Sequence, residues 1–96
     1  MDPEEHEPIG QPIDGTLDLH TFDPSEVEDL LRDYLEACGE RGILEVRIVH
    51  GKGQGILRAR VEAILDRLPE VLSRRTAGAD AGGWGATLVT LRPPAR

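Results

Sequence analysis

The stretch Val46-Arg47-Ile48-Val49-His50-Gly51-Lys52-Gly53-Gln54-Gly55 decides how the rest of this chain is read. Its first four residues are an apolar run broken by one arginine, the composition of a short strand. The next six set glycines around a histidine, a lysine and a glutamine. Glycines at this density open backbone conformations that other residues avoid, and they let a ligand approach main-chain N–H groups closely. A helical pattern begins at Ile56, so the loop feeds a helix N-terminus, where the first N–H groups lack internal partners and partial positive charge gathers. Strand, glycine loop and helix in this order predict an anion site, with phosphate the natural ligand. Two familiar phosphate loops are excluded by spacing. A Walker A loop needs Ser or Thr after its lysine, but Lys52 is followed by Gly53, and position 46 is Val; in the dinucleotide fingerprint the third glycine lies further on than Gly55, and position 56 is Ile.

Upstream, Thr16-Leu17-Asp18-Leu19-His20 alternates apolar and polar residues, which predicts a first strand with Asp18 and His20 on one side. Asp23-Pro24-Ser25-Glu26 reads as a helix start, with Asp23 as N-cap, Pro24 at the first helical position and Glu26 completing a capping box. Val27, Leu30, Leu31, Tyr34, Leu35 and Cys38 then form one helical stripe, which makes Cys38 a core residue. Gly42 is the expected cap, and Leu44 to Val49 is the second strand, suited to an interior position. Strand, helix and strand make a βαβ unit, so the two strands are parallel and both end at one edge. That edge carries Asp18, His20, His50 and the glycine loop, and ligands of open α/β sheets gather there.

Downstream, a second helix is expected from Ile56 to about Leu68, burying Leu57, Val61, Ile64, Leu65 and Leu68. Residues 70–77 read as a third strand and 86–91 as a fourth, joined by a small-residue, glycine-rich loop. The fold class is therefore α/β, a two-layer sandwich of order β-α-β-α-β-β, with a four-stranded mixed sheet and both helices on one face. Residues 1–12, acidic and rich in proline, read as a disordered arm, 13–92 as the single domain and 93–96 as a tail.

Charge is distributed unevenly. Residues 1–45 hold 14 acids and 2 bases, whereas residues 46–96 hold 4 acids and 9 bases, within a net charge of −7. An acidic chain can thus present a moderate basic face on the half that holds the glycine loop, with salt-sensitive binding. One Phe, one Trp and one Tyr exclude a broad aromatic platform for stacking unpaired bases. A single cysteine permits no internal disulfide, no zinc-like Cys/His spacing is present, and no apolar run suffices for a membrane span. A cytoplasmic protein without membrane association is expected; oligomeric state stays open.

Three pieces stand together: Leu17-Asp18-Leu19-His20; His50-Gly51-Lys52-Gly53-Gln54-Gly55 with Leu57-Arg58; and Gly82-Gly83-Trp84-Gly85-Ala86-Thr87. In order and placement they resemble the small MutS-related, or Smr, domain, in a short stand-alone form covering about residues 16–91. Thr21-Phe22 departs from the glycine that often follows the first histidine in that family. The resemblance implies binding of branched or structured DNA or RNA and, in several members, metal-assisted nicking endonuclease activity. It implies catalytic roles for Asp18, His20 and His50, with acid and base unassigned between the histidines. Contacts to phosphate or nucleic acid are implied for Gly51, Lys52, Gly53, Gln54, Gly55, Arg58, Gly83, Trp84, Gly85 and Thr87. Asp18 suits a hard divalent cation, magnesium or manganese, if the domain is catalytic, although one Asp without a carboxylate cluster does not suit a two-metal site. Trp84 either packs over the sheet edge or stacks on a base. A rival reading is a non-catalytic module that grips a phosphate backbone or a protein partner with the same loop. A third assigns a basic protein partner to the acidic residues 1–40.

Overall fold

The computed structural model describes residues 12–19, 22–51, 55–77 and 85–93. Four strands, β1 (Thr16–Asp18), β2 (Glu45–Val49), β3 (Val71–Thr76) and β4 (Ala86–Leu91), form one sheet in the order β1-β2-β4-β3. Helices α1 (Val27–Glu40) and α2 (Ile56–Asp66) are the connections from β1 to β2 and from β2 to β3. β1 and β2 pair in parallel, and β4 is antiparallel to both of its neighbours. β3 therefore runs parallel to β2, and both helical crossovers step across the sheet in the same direction. Two right-handed crossovers in one direction set their helices on the same face. The expected α/β sandwich is the observed one.

Boundaries differ by a residue or two. β1 stops at Asp18 rather than reaching His20, which lies outside the described residues, although Leu19 still donates its N–H to Val49 O at 2.8 Å. β2 begins at Glu45 rather than Leu44, α2 ends at Asp66 with Arg67 as its cap, and β3 spans 71–76 rather than 70–77.

Helix α1 forms because its apolar residues repeat at helical spacing, and all six of its stripe residues are buried. Asp23 accepts from Ser25 N, and the Glu26 side chain accepts from Asp23 N, so the capping box is present; it first closes a 3-10 turn over Pro24–Glu26 that runs into α1. At the other end Ile43 N bonds to Cys38 O at 2.9 Å and Gly42 N to Gly39 O at 3.1 Å. That pair of bonds is the Schellman arrangement, and it turns the chain directly into β2.

Partners across a ladder share a face, so the register sorts the sheet into two sides. Leu17, Val46, Ile48, Thr87 and Val89 lie beneath the helices and are buried with Leu31, Tyr34, Leu35, Val61 and Leu65. Thr16, Asp18, Glu45, Arg47, Val49, Leu88 and Thr90 lie on the opposite side, exposed or half-buried. The sandwich thus has one dry face and one open face. Arg74 reaches back from β3 to Asp66 of α2 at 2.8 and 3.0 Å, a bidentate tie that holds the Asp66 carboxyl below its ordinary pKa.

Tyr34 fastens the segment that leads into β1. Its hydroxyl, on a fully buried ring, accepts from Gly15 N at 3.0 Å and donates to Thr16 O at 3.0 Å. Burial pushes its pKa up to about 12. Tyr34→Phe leaves the Gly15 N–H without this partner, and denaturant unfolding is expected to show a loss of about 1–3 kcal/mol. The sign of the pH effect follows from the raised pKa. Below pH 10 the hydroxyl keeps its proton in both folded and unfolded chains; between about 10 and 12 only the folded chain keeps it, so stability falls as pH rises. The Phe variant is expected to lose that part of the alkaline decline.

Candidate functional site

The carboxyl ends of β1, β2 and β3, the start of β4 and the start of α2 all lie at one edge of the sheet. The carbonyl of Gly85 accepts N–H bonds from both His50 and Gly51 at 2.9 Å, which ties the loop before β4 to the end of β2. Leu19, bonded to Val49 O, brings the end of β1 to the same edge. The three sequence pieces around Asp18, His50 and Gly85 therefore meet in space.

Gly51 and Gly55 have φ of +83° and +82°. Only glycine takes this left-handed geometry without a steric cost, so the two residues act as the corners of the loop that carries the chain from β2 into α2. Gly55 is the N-cap of α2 and, without a side chain, supplies no capping hydrogen bond of its own. Ile56, the first helical residue, is 70% exposed beside it. The helix start, with the partial positive charge of its first N–H groups, lies at this exposed position.

His50 is 5% exposed, and its ring is engaged on both sides. Nδ1 lies 3.1 Å from Gly51 O, and Nε2 lies 2.8 Å from Thr87 Oγ1. A carbonyl only accepts, so Nδ1 carries a proton; in the neutral ring Nε2 then accepts from the Thr87 hydroxyl. Thr87, expected at the ligand surface, is instead 0% exposed, because the β4 register turns it under α2 opposite Ile48. Its contribution to the site passes through His50.

Arg58 projects from the first turn of α2. Nε bonds to Glu62 Oε2 at 3.1 Å, and Nη2 bonds to Thr76 Oγ1 at 3.2 Å, while 41% of the side chain stays exposed. Its head is thus held at the edge by a helical neighbour and by the end of β3. Glu62 and Thr76 escaped the sequence reading. The i, i+4 spacing of Arg58 and Glu62 was an available signal, whereas Thr76 is found only once the β3 register places it opposite Thr87. Arg60 bonds to Pro24 O at 3.0 Å and so braces α2 against the start of α1.

Asp18 is half-buried at the end of β1 and pairs in register with Val49, on the open side of the sheet. His50 and Thr87 belong to the helix side. Asp18 and His50 thus share an edge but not a face. His20, Lys52, Gly53, Gln54, Gly83 and Trp84 lie outside the described residues. Among the described residues no three His, Cys, Asp or Glu side chains gather as metal ligands, and both His50 nitrogens are already engaged. The described donors alone therefore do not fit a divalent cation.

Thr87→Val keeps the shape of the side chain and removes the hydroxyl, leaving Nε2 of a buried ring unpaired. Thermal or denaturant unfolding is expected to show a loss of about 1–3 kcal/mol, with much of it restored in Thr87→Ser.

Comparison with known proteins agrees with this arrangement. The Smr domain family model matches residues 17–92. The chain is 48% identical over 76 residues to the endonuclease MutS2 of Halalkalibacterium halodurans, covering 79% of this chain and 10% of that protein. It is 38% identical over 77 residues to the endonuclease MutS2 of Clostridium novyi, covering 80% and 10%. The chain thus spans about a tenth of the length of these relatives. The crystal structure of the Smr domain of Thermus thermophilus MutS2 superposes with a TM-score of 0.77 at 35% identity, covering 81% of this chain and 98% of that one. YdaL, a stand-alone small MutS-related protein from Escherichia coli, gives a TM-score of 0.78 at 29% identity, covering 86% and 69%. Family model, relatives and fold agree, and the chain belongs to the Smr domain family.

Proposed function

We propose that this domain binds the phosphate backbone of structured or branched DNA or RNA at the glycine edge and nicks it by phosphodiester hydrolysis. The observation that carries the reading is the Gly85 carbonyl shared by the His50 and Gly51 N–H groups, because it ties the end of β2 to the loop before β4 beside the start of α2. A phosphate at this edge meets the first N–H groups of α2 and the exposed part of Arg58. Lys52, in the same loop by sequence, adds a cation. The names of the MutS2 relatives support the nuclease half, which rests here on Asp18 and His20.

His50, with both ring nitrogens bonded within the chain, serves by holding Gly51 and β4 in place. Proton transfer is then left to His20 and the orienting of the attacking water to Asp18, which would also be the residue to hold a magnesium or manganese ion if one supplies charge stabilisation. A second reading, a non-catalytic phosphate-binding module, is favoured by the absence of a three-ligand cluster among the described residues. It requires the glycine edge but neither Asp18 nor His20.

The test is cleavage of supercoiled plasmid and of structured RNA with magnesium or manganese, with and without chelator. Wild type is expected to cut one substrate, and Asp18→Ala/His20→Ala and chelator are each expected to abolish cutting. Lys52→Ala is expected to weaken binding and to lower the slope of log affinity against log salt by about 1. Binding that depends on Lys52 without any cleavage establishes the module reading instead.

A further inference from the structure

Arg58 stands at a position that disfavours a cation. It lies in the first turn of α2, where the leading N–H groups carry partial positive charge, and its own charge works against theirs. Four side chains fix it there, two of them directly. Nε bonds to Glu62 Oε2 at 3.1 Å, and Nη2 bonds to Thr76 Oγ1 at 3.2 Å. Glu62 is fixed in turn, because the same Oε2 lies 3.7 Å from Nη1 of Arg74. Arg74 is itself locked by both oxygens of Asp66, at 2.8 and 3.0 Å. Arg58, Glu62 and Asp66 follow one another at i, i+4 spacing on α2, and β3 supplies Arg74 and Thr76 beside them. The result is a row of alternating charges along the seam between α2 and β3, and it ends at the glycine edge in a guanidinium.

A guanidinium is planar, and its five N–H groups point in fixed directions. The two bonds to Glu62 and Thr76 take the lateral edge formed by Nε and Nη2. Neither bond uses Nη1, so the terminal edge of Nη1 and Nη2 is left over, on a side chain that is 41% exposed. A pair of N–H groups on one edge matches two oxygens of a phosphodiester. The match requires the plane to be held in one orientation, which a long side chain does not do unaided, and the two lateral bonds provide that hold.

We infer that Glu62 and Thr76 are positioning residues that aim the terminal edge of Arg58 at a phosphate of the bound strand, with Arg74 and Asp66 keeping Glu62 in place. The inference rests on the reading of the glycine edge as a phosphate site. It makes an acidic side chain strengthen the binding of an anion, against its own charge.

The test measures the affinity of the full chain for a fluorescein-labelled four-way DNA junction and for a labelled RNA hairpin, at one fixed salt concentration. Arg58→Ala is expected to weaken binding of the preferred probe about tenfold. Glu62→Ala removes an anion from beside the phosphate, and on charge alone it strengthens binding. Loss of a positioning residue instead weakens binding, here by about threefold, so the sign of the change decides. Glu62→Gln, which keeps an oxygen for Nε, is expected to recover most of that loss, and Thr76→Val to weaken binding about twofold. In the Arg58→Ala background Glu62→Ala is expected to add nothing, whereas general damage to the fold weakens binding in both backgrounds. Unchanged or tighter binding in Glu62→Ala overturns the inference, as does an equal loss in both backgrounds or a Gln variant no better than Ala. Lys52→Ala separates this failure from that of the site itself. If Lys52→Ala weakens binding and Glu62→Ala does not, the phosphate site stands and only the positioning role falls. If neither Lys52→Ala nor Arg58→Ala changes binding, the phosphate reading of the edge falls, and the inference falls with it.

Discussion

The Gly85 carbonyl, shared by two N–H groups at the end of β2, is the point on which the glycine edge depends. It joins segments more than 30 residues apart in sequence, and it does so where the regular ladder between β2 and β4 has just ended. A carbonyl with two lone pairs can accept twice, so one atom fixes two successive residues of the loop. The ring of His50, lodged against Gly51 O and Thr87 Oγ1, repeats the same connection with side chains. Backbone and side chain together leave the loop little freedom at its root, while Gly51 and Gly55 supply the curvature beyond it.

The sequence was most legible where a single local rule decides the structure. Spacing alone identified the buried stripe of α1, and the Asp23/Glu26 capping box identified its start. The parallel pairing of β1 and β2 followed from the length of the connection between them. What could not be read was long-range. Whether Thr87 faces ligand or core depends on a register set by β2, and Thr76 enters the site only because β3 pairs with β4 in one particular alignment. The orientation of His50 is a further case. A histidine beside a glycine loop suggests an exposed acid or base, whereas strand alternation carries it from Val46 and Ile48 onto the buried side. The same alternation separates Asp18 from it across the sheet.

The division of charge along the chain becomes a division in space. The acid-rich half supplies α1, whose first turn carries Glu28 and Asp29 and whose last turn ends on Glu40. The base-rich half supplies the glycine edge and α2, with Arg58 held at that edge by Glu62 and Thr76. The crossover from β1 to β2 runs the length of the sheet and therefore places the end of α1 far from the carboxyl ends of the strands.

The two outer strands bear on how the protein behaves when concentrated. β1 is three residues long, and β3 is interrupted by a bulge between Val71 and Ser73 that leaves Leu72 53% exposed, followed by Arg74 and Arg75. A sheet grows by adding a straight, uncharged strand to a free edge, and neither outer strand offers one. The exposed leucine sits where the ladder is broken, next to cations that repel their own copies. Strand-by-strand polymerisation is thereby disfavoured at both sides.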